Sequence, residues 1–175
     1  MNNKTYIYYF TLLIFACTSI YMYKTFVSRK FVIEGNSMYP SINNGDIIHI
    51  NTISHKIKPI TRNTIVVFEL NNEIYCKRVI GLPGEEISIK DCEIYINDTL
   101  LTTTSQEFGH IDVLRLWIDS GQTEPFDIAP HIIPSTKDSN ENHYFVIGDY
   151  ILSSYDSRHF GPIPQSCIIG TTTKY

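Results

Sequence analysis

An uncharged stretch near the N-terminus is long enough to cross a membrane. From Tyr6 to Tyr23 there is no Asp, Glu, Lys or Arg, and Ile, Leu, Phe and Tyr predominate. Eighteen helical residues cover about 27 Å, close to the hydrocarbon thickness of a bilayer. The tyrosines cluster at both ends of the stretch, as they do at membrane interfaces. We therefore predict a membrane anchor over residues 1–30, with a span of about 6–23 in contact with the lipid bilayer.

Two other kinds of N-terminal signal share this composition, a cleaved signal peptide and a lipoprotein signal. In the lipoprotein case the box for lipidation would be Ile14-Phe15-Ala16-Cys17, but the side chain of Phe15 is too bulky for it. No small-x-small cleavage site follows the stretch before Lys24. The residues therefore favour an anchor that stays attached to the chain.

Basic residues on the two sides of the stretch bear on its orientation. Three follow it, whereas one precedes it together with the α-amino group. Because Lys and Arg are in excess on cytoplasmic flanks, this count by itself slightly favours a cytoplasmic domain. The residues are Lys4 on one side and Lys24, Arg29 and Lys30 on the other.

The composition limits what the rest of the chain can be. The 175 residues, 43% of them hydrophobic and 18% charged, suffice for the anchor and one packed domain, which we place at residues 31–175. The net charge of −4 provides no basic surface, so nucleic acid is not an expected partner. The cysteines and histidines lack metal-ligand spacing, so we expect no metal site. A disulfide between Cys76 and Cys92 is an open alternative.

Short apolar or alternating segments, separated by turn residues, predict a mostly antiparallel β domain. Between Thr99 and Asn142 prolines interrupt the pattern and only Val113 to Ile118 looks regular, so we predict a variable insertion or small subdomain there. The predicted strands are Phe31 to Glu34, Ile47 to Ile50, Ile65 to Phe68, the segment around Lys77, Glu86 to Ile89, Glu93 to Asp98, Tyr144 to Ile147 and Cys167 to Gly170.

The segment Gly35-Asn36-Ser37-Met38-Tyr39-Pro40-Ser41 presents a serine in a turn. Gly35 allows unusual backbone angles ahead of Ser37, and Pro40 stiffens the exit. A serine hydroxyl is a weak nucleophile at neutral pH and needs an adjacent base. The turn is therefore a candidate for displaying a nucleophile.

The base that we expect is Lys77, which lies in the strand Tyr75-Cys76-Lys77-Arg78-Val79-Ile80 before a Pro-Gly turn. On a strand, Tyr75 and Val79 share the face of Lys77, whereas its immediate neighbours point to the other face. A lysine acts as a base only when neutral, and apolar surroundings lower its pKa by desolvation. The pattern thus favours a Ser37/Lys77 dyad.

Taken alone, Ser37 is an ordinary turn serine and Lys77 a strand lysine whose ammonium reaches solvent. A third segment changes this interpretation: Gly148-Asp149 follows a buried strand, and Ser154-Tyr155-Asp156-Ser157-Arg158 comes soon after. Serine turn, lysine strand and Gly-Asp…Ser-x-Asp-Ser-Arg loop, in this order, resemble the bacterial type I signal peptidase (leader peptidase) family. The resemblance extends over residues 31–85 and 144–170.

The resemblance implies an antiparallel β catalytic domain of signal peptidase type, in which Ser37 is the nucleophile and Lys77 the general base and later the general acid, without a cofactor. Ser154 matches the serine that orients the lysine amine. The other implied positions are Gly35, Met38 and Pro40 in the nucleophile turn, Gly148 and Asp149 at the start of the third segment, Arg78, Asp156 and Arg158 in a structural charge cluster, and Phe31, Ile33, Met38, Ile42 and Tyr75 in the pockets for the leader peptide's alanines.

The chain departs from the family pattern in three places. The family commonly has Gly-Asp-Asn-Arg where this chain has Gly148-Asp149-Tyr150-Ile151, and Arg-Gly-Asp where it has Arg62-Asn63-Thr64. Some members carry an oxyanion-hole serine at the position of Gly35. Because glycine offers no hydroxyl, the hole is expected to consist of backbone N–H groups, notably that of Ser37.

The function implied by the resemblance is a membrane-bound serine endopeptidase that removes leader peptides from secreted preproteins at Ala-x-Ala sites. Since such substrates are cut outside the cytoplasm, this function places the domain on the extracytoplasmic side of the cell membrane, against the weak charge count. The alternatives are a related serine/lysine peptidase, such as a conjugative-pilin maturation peptidase, and a catalytically silent membrane scaffold. A self-cleaving repressor is disfavoured, because its DNA-binding segment would stand where this chain has the apolar stretch.

Overall fold

The computed structural model of the chain describes residues 3–90, 93–101, 128–135, 137–150 and 153–172. A helix, α1 (Asn3–Phe26), is followed in the described residues by eleven strands, two short α-helices and one 3-10 helix, Gln165–Cys167. These elements are β1 (Ser28–Val32), β2 (Ile47–Asn51), α2 (Ser54–Ile57), β3 (Ile65–Leu70), β4 (Glu73–Gly81), β5 (Glu86–Lys90), β6 (Glu93–Ile96), β7 (Thr99–Leu100), β8 (Ile128–Ile132), β9 (His143–Ile147), α3 (Ser157–Phe160), β10 (Ile163–Pro164) and β11 (Ile168–Thr172).

The predicted apolar stretch lies within α1, and the segment Lys4–Tyr23 is long and apolar enough to cross a membrane. None of this segment is buried against the rest of the chain. A helix this apolar and this exposed is unfavourable in water but suited to lipid. The helix thus fits a single-pass membrane protein.

Strands form two antiparallel sheets. The large sheet has seven strands in the order β1-β2-β11-β3-β4-β9-β10. Within it, β3 pairs with β4 over its full length, from Ile65 opposite Arg78 to Leu70 opposite Glu73. Strand β9 pairs only with the second half of β4, from Arg78 to Gly81. The first half of β4 therefore has one described neighbour, β3, and its other edge is open.

Four strands in the order β7-β6-β5-β8 form the small sheet. Two of its strands, β7 and β8, belong to the predicted insertion at residues 99–142, of which residues 102–127, with Val113 to Ile118, lie outside the described part of the chain. Strand β8 pairs with β5 and carries Pro130 at the sheet edge, where a missing N–H is tolerated. The described ends of this segment are thus integral to the domain.

Apolar clusters cover both faces of the large sheet, as the unbroken apolar pattern of β3 predicts. Ile65 and Val67 of β3 pack on one face with Met38, Ile42 and other residues. Val66 and Phe68 pack on the opposite face with a second cluster. The side chains of β4 alternate in the same way, so the predicted separation of Cys76 from Tyr75 and Val79 is observed.

The first strand begins earlier than the sequence indicates. The predicted strand ran from Phe31 to Glu34, whereas β1 spans Ser28–Val32 and pairs with β2 at every residue. Beyond Val32, Ile33 still exchanges backbone hydrogen bonds with Asp46 and Gly45. The packed domain thus starts directly after α1.

Candidate active site

The serine turn is held in place by its glycine and its methionine. Gly35 has φ +86°, a left-handed conformation that strains any residue with a Cβ atom. Its N–H donates to Oδ1 of Asn44 at 2.8 Å. Met38 is fully buried in the core, and Pro40 follows a cis peptide bond. Ser37 therefore lies in a turn between Gly35, which is bonded to Asn44, and Met38, which is buried in the core.

Lys77 reaches this turn from the open half of β4. Its Nζ lies 2.6 Å from Oγ of Ser37, which is hydrogen-bond distance. The lysine is only 4% exposed, and it makes no salt bridge within the described part of the chain. The two predicted catalytic side chains, forty positions apart in sequence, are therefore in direct contact.

Burial lowers the pKa of Lys77 below the ordinary value of 10.5. The carboxylate of Asp156 acts in the opposite direction as the second influence, and the guanidinium of Arg158 partly offsets it. Desolvation is thus the largest cause, as expected for an amine without a carboxylate partner. It increases the fraction of neutral amine, the form that can accept a proton from Ser37.

Cys76, the neighbour of Lys77, does not compete as a nucleophile. Burial raises the pKa of its thiol to about 12, so the reactive thiolate is scarce at neutral pH. The thiol is free, and Cys92, its partner in the alternative disulfide, lies outside the described residues.

The third segment packs directly against the serine turn. The N–H of Tyr150 donates to the carbonyl oxygen of Ser37 at 3.0 Å. A Cβ atom at Gly148 would stand 2.5 Å from that carbonyl and 2.2 Å from Oγ of Ser154. Glycine at 148 is therefore required by close approach, and the contact brings Ser154 to the site.

The hydroxyl of Ser154 does not make the predicted bond to the lysine amine. Its Oγ is buried and has no hydrogen-bond partner among the described residues. The single hydrogen bond of the Lys77 side chain in this part of the chain goes to Ser37. The structure thus brings Ser154 against the serine turn and leaves its orienting role as a prediction.

Two buried ion pairs support the site. Arg78 binds Asp149 through two nitrogens at 2.8 and 2.6 Å, and it also donates to the carbonyl of Asn63 and the hydroxyl of Ser41. Fork-like pairing of this kind fixes both partners. This first ion pair of the predicted charge cluster thus links β4 to the third segment.

Asp156, fully buried, forms the second pair with Arg158, at 2.8 and 2.9 Å. The same carboxylate accepts the N–H of Gly148 at 3.0 Å and caps the start of α3. His159 completes a capping box with it. Asp156 therefore holds the loop that carries Gly148 and Ser154.

The departure at Arg62-Asn63-Thr64 has a structural explanation. Asn63 has φ +71°, a conformation that asparagine tolerates better than most residues with a side chain. It can therefore replace a glycine there. Its carbonyl still accepts Nη1 of Arg78 at 3.0 Å, so the substitution preserves the link to the site.

A cleft of about 620 Å³ opens beside the dyad. Of the predicted pocket residues, Ile42 does not line it. Its side chain is fully buried in the core with Ile48 and Ile50, because the turn after Pro40 directs it inward. The lining consists of residues 31–38, Val67, the β4 segment Ile74, Tyr75, Cys76 and Lys77, and Ser153 and Tyr155.

Several residues of the site were missed by sequence reasoning. Asn44 holds Gly35, Tyr150 holds the Ser37 carbonyl, and Ser153 and Tyr155 line the cleft. Asn44 lies between two predicted strands, Phe31 to Glu34 and Ile47 to Ile50, and this position gave no hint of a contact nine residues away. Tyr150 was noted only as a departure from the family pattern. Because Asn44 and Tyr150 bind backbone groups of the serine turn, the residue types in the sequence do not reveal these contacts.

Comparison with known proteins places the chain in a family. A family model described as signal peptidase, peptidase S26, matches residues 6–175. Signal peptidase I V of Bacillus subtilis is 34% identical over 148 residues, which are 84% of each chain. Signal peptidase I of Bacillus caldolyticus is 35% identical over 84% of this chain and 78% of its own.

A solved structure agrees with these relatives and with the predicted mostly antiparallel fold. The crystal structure of a signal peptidase I from Enterococcus faecalis has a TM-score of 0.51 and 27% sequence identity to this chain. The match covers 66% of this chain and 98% of the other. The chain belongs to the signal peptidase family, peptidase S26.

Proposed function

We propose that this protein is a membrane-anchored serine endopeptidase that removes leader peptides from secreted preproteins. The observation that carries the proposal is the 2.6 Å contact between Oγ of Ser37 and Nζ of Lys77 at a cleft. A buried lysine without an anionic partner is costly to a protein fold, and such groups concentrate at catalytic sites. Family membership supports the same chemistry.

The dyad would work by nucleophilic catalysis. The neutral amine of Lys77 accepts the hydroxyl proton as Oγ of Ser37 attacks the scissile carbonyl. The resulting ammonium then gives its proton to the leaving amine, and an acyl-enzyme remains. A water molecule that loses its proton to the same amine releases the leader peptide and restores Ser37. One lysine thus serves as base and acid in turn.

The tetrahedral oxyanion requires hydrogen-bond donors that are already in place. We assign this role to the backbone N–H of Ser37, which makes no hydrogen bond within the described part of the chain. Gly35 offers no hydroxyl for the purpose. The bond from Tyr150 to the Ser37 carbonyl holds the peptide plane after Ser37, so the turn is rigid before substrate arrives.

An extended peptide is the substrate shape that suits this cleft. One wall follows the segment after β1 and the other follows the open half of β4. Backbone groups along such edges can pair with an added strand, whose alternate side chains then enter the pockets. Phe31, Ile33, Met38 and Tyr75 line the cleft, and we expect the pockets between these side chains to take small residues such as the alanines of an Ala-x-Ala site.

The catalytic domain is proposed to lie on the extracytoplasmic side of the membrane, with α1 as the single span. Secreted preproteins are cut where they emerge from the bilayer, so a cytoplasmic domain would not reach the cleavage site. This argument outweighs the slight excess of basic residues after the span. Protease accessibility in sealed cells or vesicles would measure the orientation directly.

The test is cleavage of a preprotein with an Ala-x-Ala site by the detergent-solubilised protein, followed by N-terminal sequencing of the product. Ser37→Ala is the matched control, because it removes one oxygen from a half-exposed turn. We expect one cut after the second alanine with the parent protein and none with the variant. Cleavage that survives Ser37→Ala would contradict the role of Ser37 as nucleophile, and a folded parent protein that is inert would contradict the proposal and favour a silent scaffold.

A further inference from the structure

The cleft beside the dyad carries one acidic side chain that the mechanism does not use. Glu34 is exposed and lines the cleft shortly before Ser37 in the chain. Among the lining residues it is the only acidic one, and Lys77 is the only basic one. Within the described part of the chain, the salt bridges join other residues and no side chain donates a hydrogen bond to the Glu34 carboxylate. This negative charge is therefore free to interact with a bound substrate.

The backbone around Glu34 determines the face on which its side chain lies. Strand β1 is at the edge of the large sheet, and its pairing continues beyond Val32, because Ile33 exchanges backbone hydrogen bonds with Asp46 and Gly45. Side chains alternate between two faces along such an extended segment. Ile33 is 8% exposed and packs in the apolar core, whereas Val32, at 63% exposure, and Glu34 lie on the opposite face. Glu34 thus points away from the buried floor of the cleft.

A peptide that adds to this edge places its own side chains in the same alternation. In the proposed binding mode, the first and third residues before the scissile bond enter the pockets on the floor, the face of Ile33. The second and fourth residues then face outward, on the side of Glu34. Side chains opposite each other on neighbouring strands have Cβ atoms about 4.5–5.5 Å apart. A long cationic side chain at one of these outward positions therefore reaches the carboxylate.

We propose, on the basis of the proposed function, that Glu34 is a specificity-determining residue that favours lysine or arginine at the second or fourth position before the scissile bond. The second position is the x of an Ala-x-Ala site. Because the pair stands at the exposed surface of the cleft, the expected preference for a basic over a neutral residue is modest, about 2- to 5-fold in kcat/KM. An acidic residue at the same position meets a like charge and is disfavoured by a similar factor.

The experiment measures kcat/KM of the detergent-solubilised full chain for preproteins that differ at one position. One set carries Lys, Gln or Glu at the second position before the scissile bond, and the other set carries them at the fourth. Glu34→Gln removes the charge with almost the same shape, and Glu34→Lys reverses it. The control, Glu93→Gln, removes one carboxylate from β6 in the small sheet, outside the lining of the cleft. The Gln substrate is the reference for each protein, so a general change in activity cancels in the ratio.

At low ionic strength, the parent and the control should cut the Lys substrate faster than the Glu substrate by about 4-fold or more in at least one set. This ratio should fall below about 2-fold in Glu34→Gln and reverse in Glu34→Lys. High salt should weaken the preference of the parent, because exposed charges are screened. Equal rates for Lys and Glu substrates with the parent in both sets would overturn the role of Glu34. A preference of undiminished size in Glu34→Gln would overturn it as well.

The neutral substrates separate the two proposals. A parent protein that cuts the Gln substrates but shows no charge preference refutes the role of Glu34 and leaves the proposed function in place. A folded parent protein that cuts none of the preproteins contradicts the proposed function, and the role of Glu34 fails with it.

Discussion

Two adjacent residues of β4, Lys77 and Arg78, are basic and buried, at 4% and 8% exposure, but their surroundings differ completely. Arg78 makes a two-nitrogen ion pair with Asp149 and two further hydrogen bonds. Lys77 contacts the hydroxyl of Ser37, and none of its described neighbours forms a salt bridge with it. The same strand thus carries Arg78, which is paired with a carboxylate, on one face and Lys77, which is not, on the other.

The difference separates a charged side chain that stabilises the fold, Arg78, from one whose burial favours reactivity, Lys77. An arginine stays protonated and its planar group binds a carboxylate through two parallel bonds, so it can join β4 to the third segment. A lysine without such a partner is destabilised as an ammonium and becomes a base. Five predictions test this contrast, from the largest expected effect to the smallest.

Replacement of Lys77 by Met should abolish cleavage while the protein stays folded. Loss of the base is expected to lower kcat by on the order of 10⁴-fold or more, as in other enzymes whose nucleophile depends on one base. Measurement of kcat against a preprotein, with circular dichroism for the fold, checks this. Substantial turnover by the variant would remove Lys77 from the mechanism.

The same variant should be more stable than the parent at neutral pH. Burial lowers the folded-state pKa of Lys77, so between that lowered value and 10.5 the unfolded chain binds more protons than the folded chain. The lysine therefore destabilises the fold fully below its folded pKa, and the penalty vanishes as pH approaches 10.5. The stability gain of Lys77→Met should fade over the same range, measured by chemical denaturation.

Replacement of Arg78 by Met should have the opposite effect on stability. It leaves the carboxylate of Asp149 buried without its partner, a change that typically costs about 3–5 kcal/mol. Replacing Asp149 by Leu in the same chain should restore much of the loss, because no charge then stays uncompensated. Equal unfolding free energies for parent and Arg78→Met would remove the contrast between the two residues.

The pH profile of cleavage should report the lysine. Activity is expected to rise with pH and reach half its maximum below 10.5, since neutral Lys77 is the active form. Arg158→Gln should move this midpoint to higher pH, because Arg158 offsets the carboxylate of Asp156, which raises the pKa of Lys77. Cys76 and Asp149, the other groups that favour the ammonium, are unchanged in this variant. If the midpoint of the pH profile does not move in Arg158→Gln, the ionisation that controls activity belongs to a group other than Lys77.

The smallest effect is expected at Ser154. Its Oγ is buried without a partner, so Ser154→Ala should leave stability unchanged or slightly raised. If Ser154 orients the amine during the reaction, kcat should fall by about 10- to 100-fold, consistent with one lost hydrogen bond to a charged group. KM should stay the same, and Ser154→Thr should recover part of kcat. An unchanged kcat would limit Ser154 to packing against Gly148.

Local patterns predicted a large part of this molecule. The apolar stretch became α1, and the predicted strands at Ile47, Ile65, Tyr144 and around Lys77 were confirmed within a few residues. Their apolar periodicity is strong. The turn residues Asn44-Gly45 precede the strand at Ile47, and Asn71-Asn72 separate the strand at Ile65 from the one around Lys77. Ser37 and Lys77 were paired from sequence because a serine nucleophile needs a base and because three segments in this order resemble the signal peptidase family.

Other features depended on contacts between distant segments. Strand β8 was not predicted, because its pairing with β5 and its edge position, which tolerates Pro130, are decided by the sheet. Ile42 was assigned to the pockets, whereas the turn after Pro40 buries it in the core. Two further features depend on how the third segment packs against the serine turn at Gly148. The hydroxyl of Ser154 has no hydrogen-bond partner among the described residues, and the N–H of Tyr150 donates to the carbonyl of Ser37.

The sequence by itself determined the chemistry available to this protein, because residue types, order and apolar periodicity specify an anchor, a nucleophile and a base. Only the tertiary structure decided that Lys77 is desolvated while Arg78 is paired, since neighbouring residues of one strand face different partners. It alone showed that the carbonyl oxygen of Ser37 accepts a hydrogen bond from Tyr150. Burial and distance are properties of the packed chain, and no local pattern contains them.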